Sequence, residues 1–130
     1  MLLVQFILEM ITFTKEEIKI LDKTKQIEYW IRTAADDLVS AELLITNQRI
    51  LHGLFLCHLC IEKSIKAHIV RVTGQIPPRS HKLSYLLELT DLVLSEDDKD
   101  FCAMLMIYQM EGRYPEYLPV VPAQNVAVDF

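Results

Sequence analysis

Residues 50–74 read ILHGLFLCHLCIEKSIKAHIVRVTG, and this stretch decides the fold. Its apolar residues recur at steps of three and four, which is typical of a helix with a wide apolar face. It contains no proline, and Gly74 supplies the left-handed C-cap that would end the helix. We therefore predict a central helix that is the most buried element of the domain. Its C-terminal half carries Glu62, Lys63, Lys66 and Arg71, so we expect that end to reach water or a partner.

The composition favours one helical domain. A chain of 130 residues is long enough to bury a core of its own. Its 52% hydrophobic content and only 3 glycines suggest an all-helical fold with some apolar surface buried between subunits. The net charge of −5 argues against nucleic-acid binding by bulk electrostatics. Residues 62–82 are nevertheless basic and 88–100 acidic, which fits either solvated helix faces or a local anion site.

The cysteines and the N-terminus bear on compartment and cofactors. Three cysteines without a secretory signal indicate a reducing cytoplasm. The apolar residues 1–11 lack a basic flank and are too short to span a bilayer, so we predict no membrane role. Cys57-His58-Leu59-Cys60 invites a metal or redox interpretation, but zinc needs four ligands and the redox motif follows a strand. Apolar core cysteines explain the pair better, so no metal and no cofactor is predicted.

Capping signals divide the chain before the central helix. Thr14 and Glu17 form a capping box that predicts a short helix to about Asp22. A longer helix is predicted over residues 25–46. Its inward stripe consists of Trp30, Ala34, Leu38, Ala41 and Leu44 or Ile45. Residues 47–49 should form a tight turn, so that the longer helix and the central one pack as an antiparallel hairpin.

Two further helices are predicted after the central one. Pro77 and Pro78 forbid helix and stiffen the connecting loop. Ser80 is the expected N-cap of a third helix over 81–94, and Ser95 that of a fourth over 96–111, which Gly112 would end. The sequence thus predicts an all-α, up-and-down bundle of four to five helices. Residues 1–24 form an extension with the short helix, 25–119 form the bundle, and 120–130 form a C-terminal tail.

A series of short motifs runs through the predicted helices. In chain order they are Tyr29-Trp30-Ile31, Ala34-Ala35-Asp36-Asp37-Leu38, Ala41, Phe55, Glu62-Lys63-Ser64-Ile65-Lys66-Ala67, Pro77-Pro78-Arg79-Ser80-His81-Lys82-Leu83, Leu86-Leu87 and Arg113-Tyr114-Pro115. Taken together, these motifs resemble the HEPN domain, the higher eukaryotes and prokaryotes nucleotide-binding fold. The resemblance implies a helical bundle that usually forms a homodimer. It also implies a nucleotide or RNA ligand and a minimal nucleotidyltransferase partner in a toxin–antitoxin-like pair.

Many HEPN proteins are metal-independent ribonucleases, in which about four to six residues separate an arginine from a following histidine that handles the 2′-hydroxyl proton. This chain lacks that spacing. No histidine follows Arg113, and Arg49 and Arg79 precede histidines by three, nine and two residues. We therefore expect a binding module without ribonuclease activity, with a ribonuclease toxin or a structural helical scaffold as alternatives. If RNA is cleaved, Arg113 and His81 are the candidate catalytic residues.

Four basic residues are predicted to bind phosphate. These residues are Arg113, Lys66, Arg79 and Lys82. Arg113 offers planar bidentate donors beside a rigid Tyr-Pro step, which suits phosphate. Alternatively, Arg113 forms a salt bridge with Asp36 or Asp37, and Lys66 pairs with Glu62 one turn away along the helix. His81 is expected to fix the loop rather than perform chemistry.

Overall fold

The computed structural model describes the backbone of residues 15–110 and Pro122, and the side chains of residues 22–108 and Pro122. Four helices form in this part of the chain. They are α1 (Lys15–Thr46), α2 (Ile50–Thr73), α3 (Leu83–Glu88) and α4 (Glu96–Met110), and no strand occurs over the same residues. The predicted all-α bundle is therefore confirmed. None of these four helices is both long and apolar enough to cross a bilayer.

Helix α2 is the centre of the fold. It packs against α1, α3 and α4, and α3 and α4 also pack against each other. Leu54, Ile69 and Val70 on α2 are each at most 2% exposed. The helix ends where Gly74 adopts a φ of 68° and donates its N–H to the carbonyl of Val70. The central helix and its glycine C-cap are thus as predicted.

Helices α1 and α2 form the predicted antiparallel hairpin. In the turn between them, Gln48 takes a left-handed φ of 64°. Beyond the turn the two helices approach closely at Gly53, where a Cβ atom would overlap the side chain of Ile45 and meet the carbonyl oxygen of Ala41 at 3.1 Å. Farther along, Lys63 Nζ lies 2.6 Å from Asp37 Oδ2. Glycine at position 53 therefore permits the close contact on which the hairpin depends.

Two apolar clusters attach α3 and α4 to the hairpin. The first contains Ile45, Ile50, Leu54 and Leu105. The second contains Ile65, Ile69, Leu83, Leu86 and Cys102. Ile61 packs against both clusters and so joins them into a continuous core. Burying one such side chain contributes about 1.5–3 kcal/mol to folding, so these clusters hold the two C-terminal helices in place.

The two helices that were predicted before the central helix form one continuous helix in the structure. Helix α1 continues without a break from Lys15 to Thr46, so the predicted interruption between residues 22 and 25 is wrong. The physical reason is that Lys23 and Thr24 are polar but compatible with a helix, and no proline or glycine lies between residues 15 and 46 to end it. The predicted capping residue Thr14 lies outside the described residues.

Helix α3 is shorter than predicted, spanning 6 residues instead of 81–94. Thr90 Oγ1 donates to the carbonyl of Leu87 and accepts the N–H of Leu92, and these side-chain bonds replace helical ones. At the other end the N-cap is Lys82 rather than Ser80, whose Oγ instead accepts the Lys82 N–H in a turn.

The start of α4 is as predicted. Ser95 Oγ accepts the N–H of Asp98 at 3.1 Å, so this serine caps the helix. Helix α4 is described to Met110, and the glycine predicted to end it, Gly112, lies outside the described residues.

The predicted inward stripe of α1 is only partly correct. Ala34, Ala41 and Ile45 are buried, as predicted. Leu38 is 47% exposed, however, because it lies beside the contact with α2 and lines an open groove of about 390 Å³ between the two helices. Trp30 is half-buried at the side of the same contact rather than deep in the core.

Candidate functional site

Polar and charged side chains gather around Glu62 in the C-terminal half of α2. Glu62 is 3% exposed, Lys66 is 6% exposed and His58 is fully buried. Exposure of this end of the helix to water, one of the two predicted possibilities, is therefore wrong for Glu62 and Lys66. A buried charge is costly unless it is paired and hydrogen-bonded, so the partners of these groups define the site.

Glu62 and Lys66 form the pair that their spacing predicts, although in the interior and not on an exposed face. Lys66 Nζ donates a hydrogen bond of 2.7 Å to Glu62 Oε1. The same ammonium group lies 5.4 Å from the centre of the Trp30 ring, within the range of a cation–π contact. Trp30 in turn makes an edge contact with Tyr29. The Lys66 charge is thus stabilised by a carboxylate on one side and an aromatic face on another.

His81 reaches the same carboxylate from the loop between α2 and α3. Its Nδ1–H donates to Glu62, at 3.0 Å from Oε2 and 3.1 Å from Oε1. The His81 side chain is 60% exposed, whereas that of Glu62 is 4% exposed. A buried carboxylate that receives Nδ1–H sets the tautomer and the orientation of an imidazole. Glu62 therefore fixes an imidazole that is open to solvent, and that His81 performs no chemistry stays a prediction.

His58 fastens the backbone of the same loop. Its Nε2–H donates to the carbonyl of His81 at 3.1 Å, with Met106 Sδ at 3.3 Å. His58 Nδ1 has no hydrogen-bond partner and lies 3.7 Å from Glu62 Oε2. Burial lowers the pKa of His58, while the negative charge of Glu62 acts in the opposite direction. His58 is therefore a neutral donor near pH 7, and the loop is held through both its backbone and its side chain.

Two exposed cations flank the fastened histidine, and we name residues 79–82 the basic loop. Arg79 and Lys82 are both exposed, whereas Pro77 just before them is buried. The Ser80 N–H donates to the carbonyl of Pro78 at 2.9 Å. The basic loop is thus anchored at a buried proline, at a tight turn and at His81, while its cations stay accessible.

The predicted phosphate-binding residues are only partly brought together. Lys66 lies at the carboxylate that binds His81, and Arg79 and Lys82 lie in the same loop as that histidine. Arg113 lies outside the described residues. Asp37, one of its suggested partners, pairs with Lys63.

The two cysteines of the suggested metal motif are not activated as nucleophiles or as metal ligands. Cys57 and Cys60 are half-buried, and burial is the main cause that raises the pKa of both thiols. A raised pKa keeps a thiol protonated and weakly nucleophilic. Within the described part of the chain, no group of three His, Cys, Asp or Glu residues could hold a metal ion.

Sequence reasoning missed the central role of Glu62 and the participation of His58. A signal for both was present in the sequence. His58, Glu62 and Lys66 recur at steps of four, which places them on one face of α2. Because α2 is much more apolar than α1, the other long helix of the hairpin, ionisable residues aligned on one of its faces indicate a paired, buried network.

These features define a small helical bundle in which a buried carboxylate, an ammonium group and two imidazoles fasten a basic loop. The family model of the HEPN domain matches residues 27–127, a span that includes α2, α3 and α4. The chain belongs to the HEPN domain family, as its resemblance predicted. No curated protein and no solved structure matches it significantly.

Proposed function

We propose that this HEPN domain binds phosphate-bearing ligands, nucleotides or RNA, at the basic loop, and that it does not act as a ribonuclease. The observation that carries this proposal is the bond from His81 to the buried Glu62. Because that bond fixes the loop before any ligand arrives, Arg79 and Lys82 lose less conformational freedom on binding than they would in a mobile loop.

The local charge balance supports the same proposal. The negative charge of Glu62 is matched by Lys66, so it does not cancel the cations of the basic loop. Arg79 offers a planar fork of donors and Lys82 a compact ammonium group, and both kinds of group bind phosphate. Arg113 remains a predicted additional ligand of the phosphate. The chain as a whole carries a net charge of −5, so its attraction for an anion must be local.

We also propose a homodimer that acts in the cytoplasm with a minimal nucleotidyltransferase, in a toxin–antitoxin-like pair. Membership of the HEPN family supports the partner. The exposed apolar side chains of Ile31, Val39 and Leu43 on α1, each at least 56% exposed, support a subunit contact on that helix. The three free cysteines fit a reducing compartment.

A ribonuclease is the second candidate, and one observation favours it. An imidazole oriented by a buried carboxylate, as His81 is by Glu62, is the arrangement of a general base. Incubation of single-stranded RNA with the purified chain separates the two functions, because a binding module leaves the RNA intact. RNA cleavage that is lost in an Arg113→Ala, His81→Ala double variant would favour the enzyme instead.

The binding proposal is tested with a variant that removes both exposed cations of the basic loop. We expect Arg79→Ala/Lys82→Ala to bind labelled single-stranded RNA about tenfold more weakly and with a shallower salt dependence, because two phosphate contacts are lost. Fluorescence anisotropy over a range of salt concentrations measures both effects. Arg49→Ala/Lys99→Ala is the matched control, since it removes the same two charges from exposed positions elsewhere. Equal losses in the two double variants would refute a site at the basic loop.

A further inference from the structure

An aromatic pair lies beside the Glu62 network without a role in the proposed phosphate site. Tyr29 is 49% exposed on α1, and its ring centre lies 5.1 Å from that of Trp30 at an interplanar angle of 72°. This edge-to-face contact steadies the tyrosine ring from one side. A half-exposed aromatic ring that a neighbouring ring holds in place is a surface on which a flat ligand can stack.

The aromatic pair is joined to the basic loop by a short series of contacts. Trp30 faces the ammonium group of Lys66 at 5.4 Å, and Lys66 binds Glu62 at 2.7 Å. Glu62 in turn binds His81, the central residue of the basic loop, at 3.0 Å. The aromatic rings and the exposed cations therefore lie at two ends of one network. Since none of these contacts is longer than 5.4 Å, the two ends are close enough for a few linked nucleotides to span.

We propose that Tyr29, supported by Trp30, stacks on an unpaired nucleobase of the ligand whose phosphate is bound at the basic loop. This inference rests on the proposed phosphate site and specifies the ligand. Every nucleobase has a π face, so such stacking tolerates any base. In a duplex the bases are stacked on one another and their faces are not available. The ligand class is therefore a base-bearing phosphate with a free base, as in single-stranded RNA or a free nucleotide.

The test compares ligands with and without bases. The probes are a single-stranded oligoadenylate of about eight nucleotides, which is within the range of known site sizes, and an abasic ribose-phosphate strand of equal length. We expect Tyr29→Ala to weaken binding of the oligoadenylate about fivefold to 150-fold, the range measured for loss of one base–aromatic stack. Binding of the abasic strand should be unchanged, because only its phosphates contact the protein.

Two control variants isolate the aromatic face. Tyr29→Phe keeps the ring and should bind the oligoadenylate as the natural chain does. Tyr85→Ala removes a tyrosine that is 41% exposed on α3, and it should also bind normally. Because Tyr29 is half exposed, its replacement should leave the thermal unfolding temperature nearly unchanged, and this is checked for each variant.

The outcomes separate this proposal from the phosphate site. If Arg79→Ala/Lys82→Ala weakens binding but Tyr29→Ala does not, or if Tyr29→Ala weakens both strands equally, the stacking proposal is refuted and the phosphate site stands. If the loop variant has no effect beyond its control, the phosphate site itself is refuted. Calorimetry with AMP and with ribose 5-phosphate distinguishes the two sources of the base. If Tyr29→Ala weakens the binding of AMP but not that of ribose 5-phosphate, the ligand is a free nucleotide. If Tyr29→Ala weakens the binding of the oligoadenylate alone, the ligand is an RNA strand.

Discussion

The two halves of α2 are stabilised by different forces. In the N-terminal half, Gly53 allows α1 to approach closely, and Leu54 is fully buried in an apolar cluster with Leu105. In the C-terminal half, Glu62 is buried together with Lys66 as well as with apolar neighbours. Apolar contacts depend on shape and not on direction, whereas hydrogen bonds to a buried carboxylate require a defined geometry.

This difference between the two halves of α2 explains why the basic loop is held at the C-terminal half. A buried ion pair often contributes no more to stability than apolar residues of the same size, so stability alone does not account for Glu62. Its bonds to Lys66 and His81 instead set the position of the loop relative to α2. We infer that the apolar half of α2 assembles the bundle and the polar half positions the basic loop.

The largest effect is expected from removing the shared carboxylate. Glu62→Ala leaves the buried Lys66 ammonium without its anion, and such an unpaired charge typically costs about 3–5 kcal/mol. Urea denaturation measures the free energy of unfolding of the variant and of the natural chain. The double variant Glu62→Leu/Lys66→Met removes both charges and should recover much of the loss, because the penalty arises from the unpaired charge.

The double variant also separates stability from loop position. In it the His81 side chain has lost its acceptor while the bond from His58 to the His81 carbonyl remains, so NMR should show a mobile His81 imidazole in a stable bundle. If the double variant is as unstable as Glu62→Ala, the unpaired charge is not the cause of the loss. If the imidazole stays ordered, Glu62 does not position the His81 side chain.

A smaller effect is expected in the apolar half. Gly53→Ala inserts a Cβ that overlaps Ile45 and approaches the carbonyl of Ala41, and such overpacking typically costs about 1–3 kcal/mol. Alanine favours a helix over glycine by about 1 kcal/mol, which offsets part of this cost. Urea denaturation of Gly53→Ala should still show a net decrease in the free energy of unfolding. Ile45→Ala removes the overlapping Cγ1, so Gly53→Ala/Ile45→Ala should cost less than the sum of the two single substitutions if the overlap causes the loss. A stabilised Gly53→Ala would show that the two helices are not in tight contact there.

The sequence was sufficient for the elements that follow from periodicity and capping. The apolar pattern of residues 50–74 with Gly74 predicts α2 and its end, and Ser95 predicts the start of α4. The length of α3 could not be predicted in the same way, because it depends on competition between Thr90 and the backbone. The burial of Glu62 also escaped prediction. Its charge suggests exposure, and only its partners, including His81 from 19 residues along the chain, make burial tolerable.

The smallest effect concerns pH and His58, which lies where the two halves of α2 meet. Burial lowers the pKa of His58 in the folded chain below its ordinary value of 6.5. Below about pH 6.5 the unfolded chain therefore binds a proton that the folded chain does not, so the contribution of His58 to stability falls as the pH decreases. Above that pH both states are neutral at His58 and the contribution is constant.

His58→Gln keeps an N–H donor for the His81 carbonyl but does not titrate. Denaturation at several pH values between about 5.5 and 7.5 should then show a flatter dependence for this variant than for the natural chain. His52→Gln, at an exposed position on α2, is the control and should keep the natural slope. An unchanged slope in His58→Gln would mean that the acid-sensitive group of the fold lies elsewhere.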